Sequence, residues 1–181
     1  FSLNASASSG LPVYYDSSNE GVAWIDGNTV YITGGGSATI TAYQSGNADY
    51  TPATPVEQVL TVSKAYQSVA FDPLAPKIMG DAPFDLTASA SSGLNINYSS
   101  SDESVATIDG STLTILGAGS TTITASQPGN GSFYAASPVD QVLTVNMGTQ
   151  NITFGPLDTK TFGDVPFDLT ATVSSGLEIT Y

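Results

Sequence analysis

The residues of this chain whose chemistry could build a site are its carboxylates, its tyrosines and one tryptophan. The 181 residues contain no Cys and no His. That removes thiol nucleophiles, Cys/His zinc sites, disulfides and the side chain most used for proton transfer near neutral pH. A carboxylate pair across a cleft would suit glycoside hydrolysis. The acids here instead sit at turns of a repeated sequence, with no second motif beside them, so no catalytic residue is assigned and the chain is read as not an enzyme. Asp26 and Asp109, Glu57 and Asp140, Asp81 and Asp164, and Glu20 and Glu103 recur in register. Two or three of them converging with loop carbonyls would hold a structural calcium ion. No Asp-x-Asp-x-Asp-Gly loop is present, and an Asp-Gly step at a hairpin needs no metal, because Gly supplies the positive φ of the turn. No other metal or cofactor is expected.

Those residues are positioned by a repeat. Phe-Ser-Leu-Asn-Ala-Ser-Ala-Ser-Ser-Gly-Leu at Phe1 returns as Phe-Asp-Leu-Thr-Ala-Ser-Ala-Ser-Ser-Gly-Leu at Phe84 and as Phe-Asp-Leu-Thr-Ala-Thr-Val-Ser-Ser-Gly-Leu at Phe167. The offsets are 84 − 1 = 83 and 167 − 84 = 83, kept without insertion at Gly10, Gly93 and Gly176 and at Tyr15, Tyr98 and Tyr181. Such a period marks stacked units of one supersecondary type. One complete unit is expected at 67–146. Residues 1–63 form a unit without its first strand, and 150–181 are the opening strands of a third, marginal by themselves because their core face is uncovered. The missing parts would come from further chain or from another copy.

Within a unit the pattern is β throughout. Phe84, Leu86, Ala88 and Ala90 alternate with polar residues, as do Leu94, Ile96 and Tyr98. Val105–Ile108 leads through Asp109-Gly110 into Thr112–Ile115, a hairpin signature. Strands follow at 121–125 and Val139–Val145, and one precedes at Val69–Phe71. Seven short alternating strands in some 80 residues predict an all-β chain of tandem immunoglobulin-like β-sandwich modules with an 83-residue repeat.

Four positions differ in kind between the first two units. Tyr14, Trp24, Tyr31 and Tyr43 stand where the second unit has Asn97, Thr107, Thr114 and Ser126. Strand parity turns all four outward, and Trp24 and Tyr31 should face each other across the Asp26–Thr29 turn. Outward aromatics stack on sugar rings or anchor a protein partner, so these four are the candidate binding residues of one aromatic face. The alternative is that cross-strand aromatic pairs stabilise the sheet by up to about 1 kcal/mol and bind nothing. Lys77 and Lys160, two of the three basic residues, recur on the early segment and are expected to be solvated beside acidic loops.

The repeated motifs Q-x-[VI]-x-F-x-P-L-x-x-K, G-D-x-P-F-x-L-x-A-x-x-S-S-G-L, V-A-x-I-D-G and G-x-G-x-x-x-I-T-A-x-Q-x-G-N resemble those of the bacterial Ig-like repeats of giant secreted surface adhesins, including the gliding-motility adhesins of the Bacteroidetes lineage. The resemblance covers essentially the whole chain. It implies an extracellular, cell-surface location reached through outer-membrane secretion and anchoring machinery, and it carries no catalytic residues.

A net charge of −13 repels phosphate backbones and anionic headgroups, so neither nucleic acid nor membrane insertion is expected. No apolar run reaches the roughly 18–20 residues of a bilayer span, and any targeting signal is expected outside this window. The function expected is a stalk or spacer, with short connectors at Ser63–Tyr66 and Asn146–Thr149 holding a binding tip away from the cell. Its partners are adjacent repeats of the same chain and a surface glycan or protein ligand. The alternatives are a carbohydrate- or protein-binding module using the aromatic face, and an accessory spacer of a large secreted enzyme. Near-identity of neighbouring units brings a hazard of strand swapping.

Overall fold

Short β-prone runs separated by Gly, Pro, Asn and Ser turns form strands of two to eight residues and no helix. The computed structural model describes all 181 residues. In the first repeat the strands are β1 (Tyr14–Ser17), β2 (Ala23–Asp26), β3 (Thr29–Ile32), β4 (Gly36–Tyr43) and β5 (Val56–Val62). The second repeat adds β6 (Val69–Ala70), β7 (Lys77–Ile78), β8 (Phe84–Asp85), β9 (Ser89–Ala90), β10 (Asn97–Ser100), β11 (Ala106–Asp109), β12 (Thr112–Ile115), β13 (Gly119–Ser126) and β14 (Val139–Asn146). Two short strands, β15 (Ile152–Phe154) and β16 (Ala171–Val173), pair in the third.

The second repeat is a sandwich. One sheet runs β10-β13-β14-β7, and the other holds β11-β12-β8, with the short pair β6-β9 continuing the same chain segments. The β11–β12 hairpin turns through Gly110 at φ 61° and Ser111. Glycine at the first central position with positive φ is the requirement of a type II′ turn, whose twist matches the strands it joins. Leu113 from one sheet meets Ile123 and Leu143 from the other, all three fully buried, and Phe71, Val105 and Val145 close around them. Burial of each large aliphatic contributes about 1.5–3 kcal/mol.

The first strand of the unit is not continuous. Val69 pairs with Ala90 in one layer, whereas Lys77–Ile78 run parallel to Val145–Asn146 in the other. Pro73 and Pro76 lie between them and donate no backbone hydrogen bond, so the segment leaves one sheet and joins the edge of the second.

The first repeat copies this layout with the register kept. The β1-β4-β5 sheet reproduces β10-β13-β14, and the β2–β3 hairpin reproduces β11–β12. Its core is smaller: Val22, Ala23, Val30, Ala38 and Ile40 are buried, and Leu60, the counterpart of fully buried Leu143, is only half-buried.

Candidate interaction surfaces

The four outward aromatics pair as the strand register dictates. Tyr14 lies opposite Tyr43 across β1–β4, with ring centroids 6.0 Å apart. Trp24 lies opposite Tyr31 across the β2–β3 hairpin, at 5.0 Å and 35°. Tyr14, Trp24 and Tyr31 are exposed and Tyr43 is half-buried. They do not make one aromatic face. The β1-β4-β5 sheet and the β2–β3 hairpin are opposing layers joined by the core between them, so outward residues on the two point in opposite directions. Parity fixes the side of a strand; it does not tell which layer the strand joins, which is where the single-face reading fails.

Three of the recurring acids, Asp81, Asp164 and Asp140, bond within local turns and strand pairs. Ile78 donates its backbone N–H to Asp81 Oδ2 at 3.0 Å, and Thr161 does the same to Asp164 Oδ2 at 2.8 Å. Thr124 Oγ1 donates to Asp140 Oδ1 at 2.7 Å across β13–β14. Three or more acids come together nowhere in the chain. The carboxyl of Asp102 is held below its usual range. The hydroxyl of Ser104 donates to it at 2.6 Å and the Ser104 N–H at 2.9 Å, with the Val105 N–H a smaller contributor. The two recurring lysines have aromatic partners. Lys77 Nζ sits 4.3 Å from the centre of the Phe84 ring and Lys160 Nζ 4.9 Å from that of Phe167. Each ammonium lies over an aromatic face, where the ring quadrupole attracts it.

The surface with the most built-in geometry is the junction between the first two repeats. The connector enters as an added strand beside the 128–136 loop of the second repeat. Ala65 N–H donates to Ser132 O at 2.8 Å, and Tyr134 N–H returns a bond to Ala65 O at 2.9 Å. Lys64 Nζ donates to Asn130 O at 2.7 Å. Tyr66 stacks on Tyr134 with centroids 5.0 Å apart. Next along the chain, Gln67 Nε2 donates to Tyr134 O and to Oε1 of buried Gln127, both at 2.8 Å. Gly35, on the β3–β4 turn, presses against the same loop: a Cβ there would stand 2.8 Å from Gly131 O and 3.0 Å from Lys64 Cγ. The counterpart of Gly35 in the second repeat is Ala118, so the turn itself accepts a methyl group and the tight fit comes from the junction.

Sequence reasoning named the connector but missed its partners. The comparison that singled out the four aromatics would have found them when extended. Tyr66 stands where the second repeat has Thr149, and Tyr134 stands where the first has Thr51.

No protein-family model matches the chain, and no curated protein matches it. Two solved structures resemble it. A structure of surface layer protein SbsC, domains 1-6, aligns at a TM-score of 0.35 and 20% identity over 78% of this chain and 21% of that one. The crystal structure of the S-layer protein rSbsC(31-844) aligns at 0.32 and 17% identity over 90% of this chain and 28% of that one. The chain thus spans under a third of either structure's length. TM-scores this low assign neither a family nor a role.

Proposed function

We propose that this chain is a stalk segment of a large extracellular cell-surface adhesin, in which immunoglobulin-like modules are joined stiffly enough to hold a binding tip away from the cell. The junction carries the reading. A connector of four residues with free backbone would act as a hinge; here its backbone is paired on both sides of Ala65, its Lys and Tyr are engaged, and Gly35 closes the gap from the first repeat. Short engaged connectors between repeated units make an extended rod that dissipates force unit by unit. The strand order supports the module type, since β11-β12-β8 with the β6–β9 pair against β10-β13-β14 follows the D-E-B-A and C-F-G order of immunoglobulin sandwiches. The acidic, Ser/Thr-rich exterior suits a chain exposed to bulk solvent.

Small-angle X-ray scattering in dilute solution tests the rod. With its longest strands at seven to eight residues, each repeat should add roughly 35–45 Å to the maximum dimension. Tyr66→Ala with Tyr134→Ala should broaden the distance distribution. A distribution already broad in the wild type would speak for a hinge and against a stalk.

A second reading is favoured by the exposed pair Trp24–Tyr31, which offers adjoining aromatic rings of the kind sugars stack on. Glycan-array binding that disappears in Trp24→Thr, with the fold intact, would make the first repeat a binding module within the stalk.

A further inference from the structure

Asn130-Gly131 is the only Asn-Gly step in the chain, and it lies in the loop that receives the connector. Asn130 Oδ1 accepts the backbone N–H of Ser132 at 2.8 Å and that of Phe133 at 2.9 Å. Both residues of the step are exposed, and the N–H of Gly131 bonds to no acceptor within the chain. These are the conditions for ring closure between neighbouring residues. The nucleophile, the backbone nitrogen of Gly131, is unpaired and open to solvent base. Its residue has no Cβ to obstruct a close approach. The electrophile, Cγ of Asn130, has its oxygen on two fixed N–H donors, and negative charge collects on that oxygen as the tetrahedral intermediate forms.

We propose that Asn130 is a site of spontaneous deamidation, and that its rearranged product opens the joint between the first two repeats. The Gly131 nitrogen loses its proton to solvent and attacks Cγ. The new N–C bond closes a five-membered succinimide, and the bond from Cγ to the side-chain nitrogen breaks, releasing ammonia. Water then opens the ring, and nothing is oxidised or reduced. Attack at Cγ leaves an ordinary aspartate. Attack at the main-chain carbonyl leaves an isoaspartate, whose backbone is longer by one methylene. That methylene enters between two carbonyls the junction uses. Asn130 O accepts from Lys64 Nζ at 2.7 Å, and Gly131 O lies 2.8 Å from where a Cβ of Gly35 would stand. It also displaces Ser132 and Tyr134, which pair with Ala65. The effect on the joint rests on the stiff junction of the proposed stalk; the deamidation does not.

The chain carries its own control. Asn47, the counterpart of Asn130, is exposed, and its Oδ1 accepts the N–H of Asp49 and of Tyr50, both at 2.9 Å, but the next residue is Ala48. Gly131 lies outside the left-handed region, and a Cβ on it would meet nothing within 4 Å. Gly131→Ala therefore keeps the turn.

Incubation of the 181-residue chain in mildly alkaline buffer, followed by peptide mapping in a mass spectrometer, tests the site. The amide-to-acid mass shift should appear at Asn130 at least several-fold sooner than at Asn47, and Gly131→Ala should slow it to the Asn47 rate. Brief trypsin digestion tests the joint. The isoaspartate fraction, identified with an isoaspartate-specific methyltransferase, should be cut at Lys64. Asn130→Asp, with the same charge and an ordinary backbone, should stay protected there. Equal rates at Asn130 and Asn47, or no slowing in Gly131→Ala, would overturn the site. Lys64 as protected in the isoaspartate fraction as in fresh chain would overturn the effect on the joint. Lys64 cut readily in fresh chain would instead overturn the stiff junction itself, and with it the effect.

Discussion

The backbone N–H of Ala88 donates to the hydroxyl oxygen of Tyr98 at 2.8 Å, ten residues further along the chain. The same bond joins Ala5 to Tyr15 at 2.7 Å and Ala171 to Tyr181 at 2.9 Å. It ties the β8–β9 segment to β10 of the opposite layer, where the Tyr98 ring lies against Phe71. It also recurs in the third repeat, where little else of the unit is present. The bond thus recurs at the same position of all three repeats.

Tyr98→Phe keeps the ring and removes the acceptor, leaving a half-buried N–H without its partner. The expected loss is about 1–3 kcal/mol in urea denaturation of the second repeat. Tyr15→Phe should cost less, because Ala5 is exposed and water can replace the hydroxyl.

The Trp24–Tyr31 pair is expected to contribute to stability only modestly. Replacing both with the threonines of the second repeat and completing the double-mutant cycle should give a coupling of about 0.2–1 kcal/mol. Trp24 emission reports the same change, since its only aromatic neighbour within the hairpin is Tyr31.

Trypsin reads the junction directly, because the chain offers three basic residues in all. The Lys64–Ala65 bond is held by the hydrogen bonds of Ala65 on both sides, and Lys77 lies in the β7–β14 pairing. Lys160 is exposed beside a sheet of two short strands. Cleavage should begin at Lys160 and spare Lys64. Gly35→Ala should make Lys64 the next site cut while leaving the circular dichroism of the repeats unchanged.

For Asp102 the folded pKa is depressed by the Ser104 hydroxyl and N–H. Its contribution is therefore present above the unfolded value of about 3.9 and is lost as pH falls through the folded value. The NMR titration of its carboxyl should have its midpoint below that reference. Asp102→Asn should remove this part of the acid limb and keep the turn, since Asn19 caps the corresponding turn of the first repeat through its Oδ1.

The parts of the molecule that were legible in its sequence are those set by local rules. The Asp-Gly steps gave the hairpins their register, which placed Trp24 opposite Tyr31, and alternation turned the four aromatics outward. The remainder depends on pairings between distant residues. Which layer receives each hairpin is decided by packing across the sandwich, and that separates Tyr14 and Tyr43 from Trp24 and Tyr31. The junction joins Ala65 to Ser132 and Tyr134, over sixty residues away, through backbone groups that carry no sequence signature. The crossing of the first strand between sheets was available in Pro73 and Pro76, which bar a continuous ladder there. Lys77 over Phe84 follows from bringing β7 and β8 near one another, which no spacing rule supplies.

The central claim is that the first two repeats move as one body, and residual dipolar couplings of the backbone amides test it most directly. Couplings from 1–62 and from 67–146 should fit a single alignment tensor, and Gly35→Ala should split them into two. Two tensors of different magnitude in the wild-type chain would mean that the connector is a hinge, and the stalk account would fall with it.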